Sequence, residues 1–383
     1  MSVTAPRGFR AAGVTAGLKP SGRPDVALVV NDGPARAAAA VFTSNRCKAN
    51  PVLWSERTAA DGRVRAVVLN SGGANCYTGP AGFQITHATA ERVAELLDDG
   101  AGDVVVCSTG LIGRQFDRGR LLAGVDKAHA ALSAAGGADA AGAILTTDTH
   151  AKQAVATRSG WSVGGMAKGA GMLAPSLATM LVVLTTDAEV EAADCDRALR
   201  AATRATFDRL DSDGCQSTND TVVLLASGAS GTTPDADTFD EAVREVCADL
   251  ARQLLGDAEG SAHDIAIEVV GAASEDDALE VGRSIARNNL FKCAVFGEDA
   301  NWGRVLAAVG TTRAAFDPAA LDVRFNGVQV CRAGEAADDA GLVRFDGRAV
   351  HVLVDLHAGP DTATVWTNDL TETYVHENSS YST

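Results

Sequence analysis

The sequence predicts an α/β or α+β protein. Short β-branched runs that end in small-residue turns alternate with longer segments whose apolar residues recur at helical spacing, and Asn-Gly and Asp-Gly pairs mark hairpins toward the C-terminus. The clearest strands are RAVVLNSGG (65–73) and DVVVCSTG (103–110), whose terminal turns expose backbone amides where sites commonly sit. A third runs from Met180 to Leu184. Helices are expected over 87–98, 190–209 and 238–255; in the last, Phe239, Ala242, Val243, Val246, Leu250 and Leu254 form a core-facing stripe. Ser274-Glu-Asp-Asp277 resembles a capping box and opens a helix to about Arg287. VRFNGVQV (323–330) and VRFDGRAVHVLVDL (343–356) read as two hairpins, and 227–238 as a surface loop that marks no domain boundary.

Composition bounds the function. The 383 residues, 46% hydrophobic and 21% charged, suffice for two or three ordinary domains or one large one. Aromatics make up only 5%, so packing relies on small and branched aliphatic side chains in close contact. A net charge of −16 and a pI near 4.8 leave no basic face for a phosphate backbone, so nucleic acid is not expected as a partner. The N-terminal stretch lacks the apolar core of a secretory peptide and no run reaches membrane-spanning length; a cytoplasmic protein without a membrane partner is expected.

Eight cysteines without a C-x-x-C pair and seven histidines without H-E-x-x-H indicate neither a disulfide framework nor a zinc site, and reduced, mostly buried thiols are expected. GGMAKGAGM carries Lys168 before Gly169 rather than after it, with no Gly-Lys-Ser/Thr, so it fails as a P-loop, and no strand leads into G-x-G-x-x-G. ATP and NAD are not expected. Nor is there a G-x-S-x-G elbow for a serine triad.

Hydroxyl chemistry remains, and Thr179 in KGAGMLAPSLATMLVVLTTD (168–187) is its candidate. By itself a β-branched residue opening a strand is ordinary. The alternative is a nucleophile whose base is its own α-amine, with a pKa of about 7.7 to 8.0. That amine must first be freed, which the chain itself achieves if Thr179 Oγ attacks the Ala178 carbonyl and water hydrolyses the ester. The residues alone leave both readings open.

Nine blocks bear on the choice: AVFTSNRCKANPV (40–52), NSGGANCYTGPAG (70–82), CSTGLIG (107–113), TTDT (146–149), MAKGAGMLAPSLATML (166–181), STNDT (217–221), DAEG (257–260), NWGRVLAAVG (301–310) and ENSSYST (377–383). In this order, over nearly the whole chain, they resemble the ornithine acetyltransferases of the cyclic arginine pathway, which self-cleave before a threonine. The resemblance implies a sandwich-like α/β (α+β) fold of the ornithine acetyltransferase and DmpA type, analogous to N-terminal nucleophile hydrolases. It implies cleavage between Ala178 and Thr179 into an α chain, 1–178, and a β chain, 179–383, that interlock in one catalytic unit and associate as an α₂β₂ heterotetramer or larger.

The implied reaction moves acetyl from N²-acetylornithine to glutamate through an acetyl-threonine. Thr179 is then nucleophile and base, and Thr109 (hydroxyl) and Gly110 (backbone N–H) form the oxyanion hole. Thr146, Lys168, Thr179, Glu259, Asn378 and Thr383 line the substrate pocket, Lys168 as the cation for the shared α-carboxylate and Glu259 for the ornithine ammonium. Neither metal nor cofactor is implied, although a dual-activity variant also uses acetyl-CoA as donor. An amidase or aminopeptidase with the same threonine, and an uncleaved binding protein that kept the fold, are the alternatives. Ala151 and Ala300 stand where the family commonly has proline, which loosens two loops without touching a proposed catalytic atom.

Overall fold

Strands whose residues are apolar at every position need cover on both faces, and this chain supplies it by stacking two sheets between helices. The computed structural model describes residues 2–174 and 180–380. In chain order the elements are β1 (Phe9–Val14), β2 (Val26–Asn31), β3 (Ala37–Phe42), α1 (Asn50–Thr58), β4 (Ala66–Ser71), α2 (Gly79–Leu97), β5 (Val104–Thr109), α3 (Arg118–Ala130), α4 (Gly137–Ala143), β6 (Lys152–Thr157), β7 (Ser162–Lys168) and β8 (Leu181–Thr186). There follow α5 (Ala192–Ala205), β9 (Thr221–Ala226), α6 (Ala236–Gly256), β10 (Asp264–Ala272), α7 (Glu275–Ala286), α8 (Asn289–Phe296), α9 (Trp302–Val309), β11 (Asp322–Phe325), β12 (Val328–Arg332), β13 (Glu335–Ala336), β14 (Ala349–Asp355), β15 (Asp361–Asn368) and α10 (Glu372–Ser380).

One sheet has the order β1-β2-β4-β5 and a second β3-β9-β8-β7-β6. Successive side chains point to opposite faces of a strand, and the cores follow that alternation. Leu181 and Val183 of β8 meet Val67, Leu69 and Val105 of the first sheet, whereas Val182 and Leu184 meet Ala198 and Leu199 of α5 and Val246 and Leu250 of α6. Likewise Ala27 and Val29 of β2 face the second sheet, while Val26 and Leu28 face Val93 of α2 and Leu121 and Val125 of α3. The result is a helix–sheet–sheet–helix sandwich, the layering that the resemblance implied. A third sheet, β13-β12-β11-β14-β10-β15, builds its own core with α7, α8 and α9.

The second sheet interleaves the chain about residue 178, because β3, β6 and β7 precede it while β8 and β9 follow, with β8 central between β9 and β7. The two stretches therefore share one sheet.

Most elements fall where the sequence places them, with instructive exceptions. The first helix starts at Gly79 rather than 87, because Pro80 is tolerated in a first helical turn, where its missing N–H would lack a partner anyway. The 190–209 segment breaks at Thr206 (φ −129, ψ −86), and 207–209 form a separate 3₁₀ turn that buries Phe207. Ser274 Oγ accepts from Asp277 N at 3.1 Å and opens α7 as expected. Asn326 (φ 45) and Gly327 (φ 87) make the hairpin between β11 and β12. The second hairpin, at Asp346-Gly347, does not form. β14 already pairs with β10 on one edge and β11 on the other, so 343–346 find no free edge. All eight cysteines are free thiols, five of them buried. Among the described residues no helix is long and apolar enough to cross a membrane, and no group of ligating side chains has metal-site geometry.

Candidate active site

β5 and β7 belong to different sheets of the sandwich, yet their C-terminal residues, Thr109 and Lys168, meet at one end of it. Lys168, 2% exposed, donates from Nζ to Thr146 Oγ1 at 2.9 Å and to Thr109 Oγ1 at 3.3 Å. Each hydroxyl thus spends acceptor capacity on the ammonium, and its own proton is left to donate elsewhere. Gly110 follows at φ +124, a conformation strained for any L side chain, and an added Cβ would come within 2.5 Å of Gly73 N. Its N–H has no partner among the described residues. Thr109 O, by contrast, accepts from Gly72 N and Gly73 N, which fixes the turn.

Thr109, Gly110, Thr146, Lys168, Glu259 and Asn378 all line one cavity of about 90 Å³, so six positions scattered from 109 to 378 converge. Glu259 is half-buried, and its backbone N–H is tied to Ala170 O at 2.9 Å. Asn378 arrives on α10. That helix is pinned: Thr371 Oγ1 donates to Gly260 O at 2.6 Å and accepts from Tyr374 N at 2.9 Å, and α10 crosses so close to Gly260 (φ +61) that a Cβ there would lie 2.3 Å from Tyr374 N. Gly260→Ala is therefore expected to lift α10 from its seat. Limited proteolysis checks this: cleavage within 371–380 should accelerate at least tenfold.

Beneath the cavity lies a charge network that the sequence reading did not single out. Lys152, fully buried at the inward end of β6, donates to Asp148 Oδ1 at 2.8 Å and to Asp257 Oδ2 at 2.6 Å. Asp148 also accepts from Gly169 N (2.6 Å) and Thr146 N (3.1 Å) and sits 3.9 Å from Lys168 Nζ. Burial alone would raise its pKa, but the charges of Lys168 and Lys152 with these hydrogen bonds hold the carboxyl well below the usual range. Burial lowers the Lys168 pKa, and the Asp148 charge opposes that shift. Two lysines and two aspartates give a neutral cluster, the condition under which charges tolerate burial. The available signal was the alternation of KQAVAT, which places Lys152 on the inward face of its strand.

Thr179, Ala178 and Thr383 lie outside the described residues. The described residues that follow 179 in the chain are informative. Leu181 pairs with Lys168 across β7 and β8. Met180, the residue joined to 179, donates its N–H to Asp220 Oδ1 at 3.0 Å and accepts from Thr221 N at 3.2 Å. Asp220 is fully buried, and its Oδ2 has no close hydrogen bond among the described residues; burial pushes its pKa well above the usual carboxylate range, against the pull of the Ser217 hydroxyl and the Met180 N–H. It stands inside the STNDT block, where its side chain is the acidic one, but no spacing rule marks it as the clamp on residue 180.

With this geometry in place, the chain can be set beside known proteins. The model of the ArgJ family matches residues 10–383. The chain belongs to the ArgJ family. It is 65% identical over 382 residues to the Streptomyces coelicolor protein named arginine biosynthesis bifunctional protein ArgJ, and 66% identical over 382 residues to the Streptomyces avermitilis protein of the same name, with 100% of each chain covered in both cases. A solved chain from the ornithine acetyltransferase of Mycobacterium tuberculosis complexed with ornithine is 57% identical; the match covers 46% of this chain and 95% of that one, at a TM-score of 0.45. ArgJ-family membership meets the expectation drawn from the nine sequence blocks.

Proposed function

We propose that this ArgJ-family protein is a glutamate N-acetyltransferase that moves acetyl from N²-acetylornithine to glutamate through an acetyl ester on Thr179. The chain is an acyltransferase of arginine biosynthesis. The observation that carries the chemistry is the turn at β5: a Gly110 N–H with no partner among the described residues, beside a Thr109 hydroxyl that accepts from Lys168 and so keeps its own proton to donate. Two donors facing one small cavity suit the oxygen of a tetrahedral intermediate.

The site is made by the chain itself. Thr179 Oγ attacks the Ala178 carbonyl, the acyl group passes from nitrogen to oxygen, and water hydrolyses the ester, leaving a carboxylate on residue 178 and a free α-amine on residue 179. The resulting α and β chains, 1–178 and 179–383, stay joined through the shared five-stranded sheet and associate as α₂β₂. In the transfer reaction the freed amine takes the Thr179 hydroxyl proton as Oγ attacks the acetyl carbonyl. The intermediate collapses, the proton goes to the departing ornithine nitrogen, and the acetyl group remains on Oγ. Glutamate's amine then attacks that ester and the steps reverse.

Thr109 and Gly110 hold both oxyanions, Thr146 and Asn378 with Thr383 border the substrates, Lys168 provides positive charge for the shared α-carboxylate, and Glu259 faces the ornithine ammonium. Thr109→Val keeps the shape and removes one donor, so kcat is expected to fall by roughly 10²–10³ with little change in KM for either substrate, read from steady-state kinetics.

Incubation with N²-acetylornithine, with and without glutamate, tests the reading. Glutamate-dependent formation of N-acetylglutamate supports it; acetate release without glutamate makes the protein an amidase instead. The relatives' shared name, bifunctional, justifies a third arm with acetyl-CoA and glutamate, in which free CoA reports the second donor.

A further inference from the structure

The two substrates of the proposed transfer end in opposite charges, an ammonium on ornithine and a carboxylate on glutamate. Glu259 attracts the first and repels the second, so a site that accepts both in turn needs a cation within reach of the side-chain end. Glu259 also lines a second cavity of about 290 Å³, on whose wall stand Lys292, Arg287, Asp213 and Asp369, with Tyr374 of the helix that carries Asn378.

The two aspartates on this wall are already occupied. Asp213 accepts from Leu173 N and Cys215 N, and Asp369 from Ala262 N, His263 N and the His263 ring. The cations are not. Lys292, 6% exposed, donates to Ser212 O and, at 3.5 Å, to Thr367 Oγ1, which uses two of its three N–H groups. Arg287 uses Nε on Asp211 Oδ2 at 2.7 Å, and its two terminal nitrogens have no partner among the described residues. Asp211, Asp213 and Asp369 offset much of the charge on Lys292 and Arg287, so what the wall offers beyond Glu259 is unused N–H donors of charged groups, which suit a carboxylate.

We propose that Arg287 and Lys292 are the acceptor-specificity residues: they bind the side-chain carboxylate of glutamate in the cavity beyond Glu259, while the ornithine ammonium stops at Glu259 itself. This rests on the transfer reaction proposed above. Arg287→Gln and Lys292→Met, assayed with each substrate varied in turn, should raise KM for glutamate at least tenfold and change KM for N²-acetylornithine less than twofold. Arg287→Lys should recover most of the loss. Glutamine, which lacks the charge, should be used no worse by Arg287→Gln than by the wild type. If KM for the two substrates rises together, or neither moves, the assignment is overturned. Should Lys292→Met fail to fold, Arg287→Gln decides alone, because that side chain is half-exposed. A wild-type enzyme without glutamate-dependent transfer would instead refute the reaction, a result separable from any variant's behaviour.

Discussion

Thr179→Ala is expected to leave one uncut chain of 383 residues and to lower acetyl transfer by a factor on the order of 10⁵–10⁶. Both losses share a cause. The methyl group of alanine cannot attack the Ala178 carbonyl, so the α-amine is never released, and no alcohol remains to carry the acetyl group. A denaturing gel reads the first loss and an ornithine-release assay the second. Thr179→Ser, which retains a hydroxyl, should still cleave, and the gel should show two bands. A Thr179→Ala protein that splits at the same bond would place the nucleophile elsewhere.

Lys152→Met is expected to destabilise the fold by roughly 3–5 kcal/mol, measured by denaturant titration. The methionine fills the volume but leaves two buried carboxylates, Asp148 and Asp257, without the ammonium that contacts both at 2.6–2.8 Å. The effect has a defined pH dependence. Asp148 has a folded-state pKa depressed below that of the unfolded chain, so its contribution is fully present above about pH 4 and is lost as the pH falls through the folded value. Wild-type stability should decline in acid through that range. The decline should be shallower in Lys152→Met, whose Asp148 has lost one of the two cations that depress it. Because Asp148 also holds Gly169 N and Thr146 N, the variant should loosen the cavity wall and lower turnover as well.

The parts of this molecule that were legible in the sequence are those with local causes. The strands at 66–71 and 104–109 announce themselves as β-branched runs closed by glycine, and the 236–256 helix by its apolar spacing. The Asn326-Gly327 turn follows from two residues that accept positive φ. What local pattern could not convey is which edges are free. The 343–356 stretch has the composition of a hairpin, yet β14 becomes a central strand whose parallel partner, β10, begins 85 residues upstream. The Lys152 network has the same character: Lys152 and Asp257 are 105 positions apart, and only the packed β6 and the end of α6 bring them together.

The site divides in the same way. Thr109 and Gly110 belong to one turn, readable as a turn but not as an oxyanion site, and nothing in the glycine-rich run around Lys168 conveys that its side chain is buried. The many matching blocks, not any one of them, carried the site residues forward. The geometry then brings six of them to a single cavity. Asp220 and the Arg287–Lys292 pair have no such marker, because what sets them apart is their surroundings in three dimensions: a buried carboxyl that holds Met180 N, and unused donors in a cavity whose two aspartates already accept hydrogen bonds.

Both acetyl-transfer steps of the proposed mechanism require a free amine on the residue that carries the reacting hydroxyl. Intact-mass measurement of freshly purified enzyme, taken from the same sample whose transfer activity has been assayed, tests that requirement most directly. Two polypeptides of 178 and 205 residues are predicted, the second beginning at Thr179. A fully active sample consisting of one unbroken polypeptide would contradict the account.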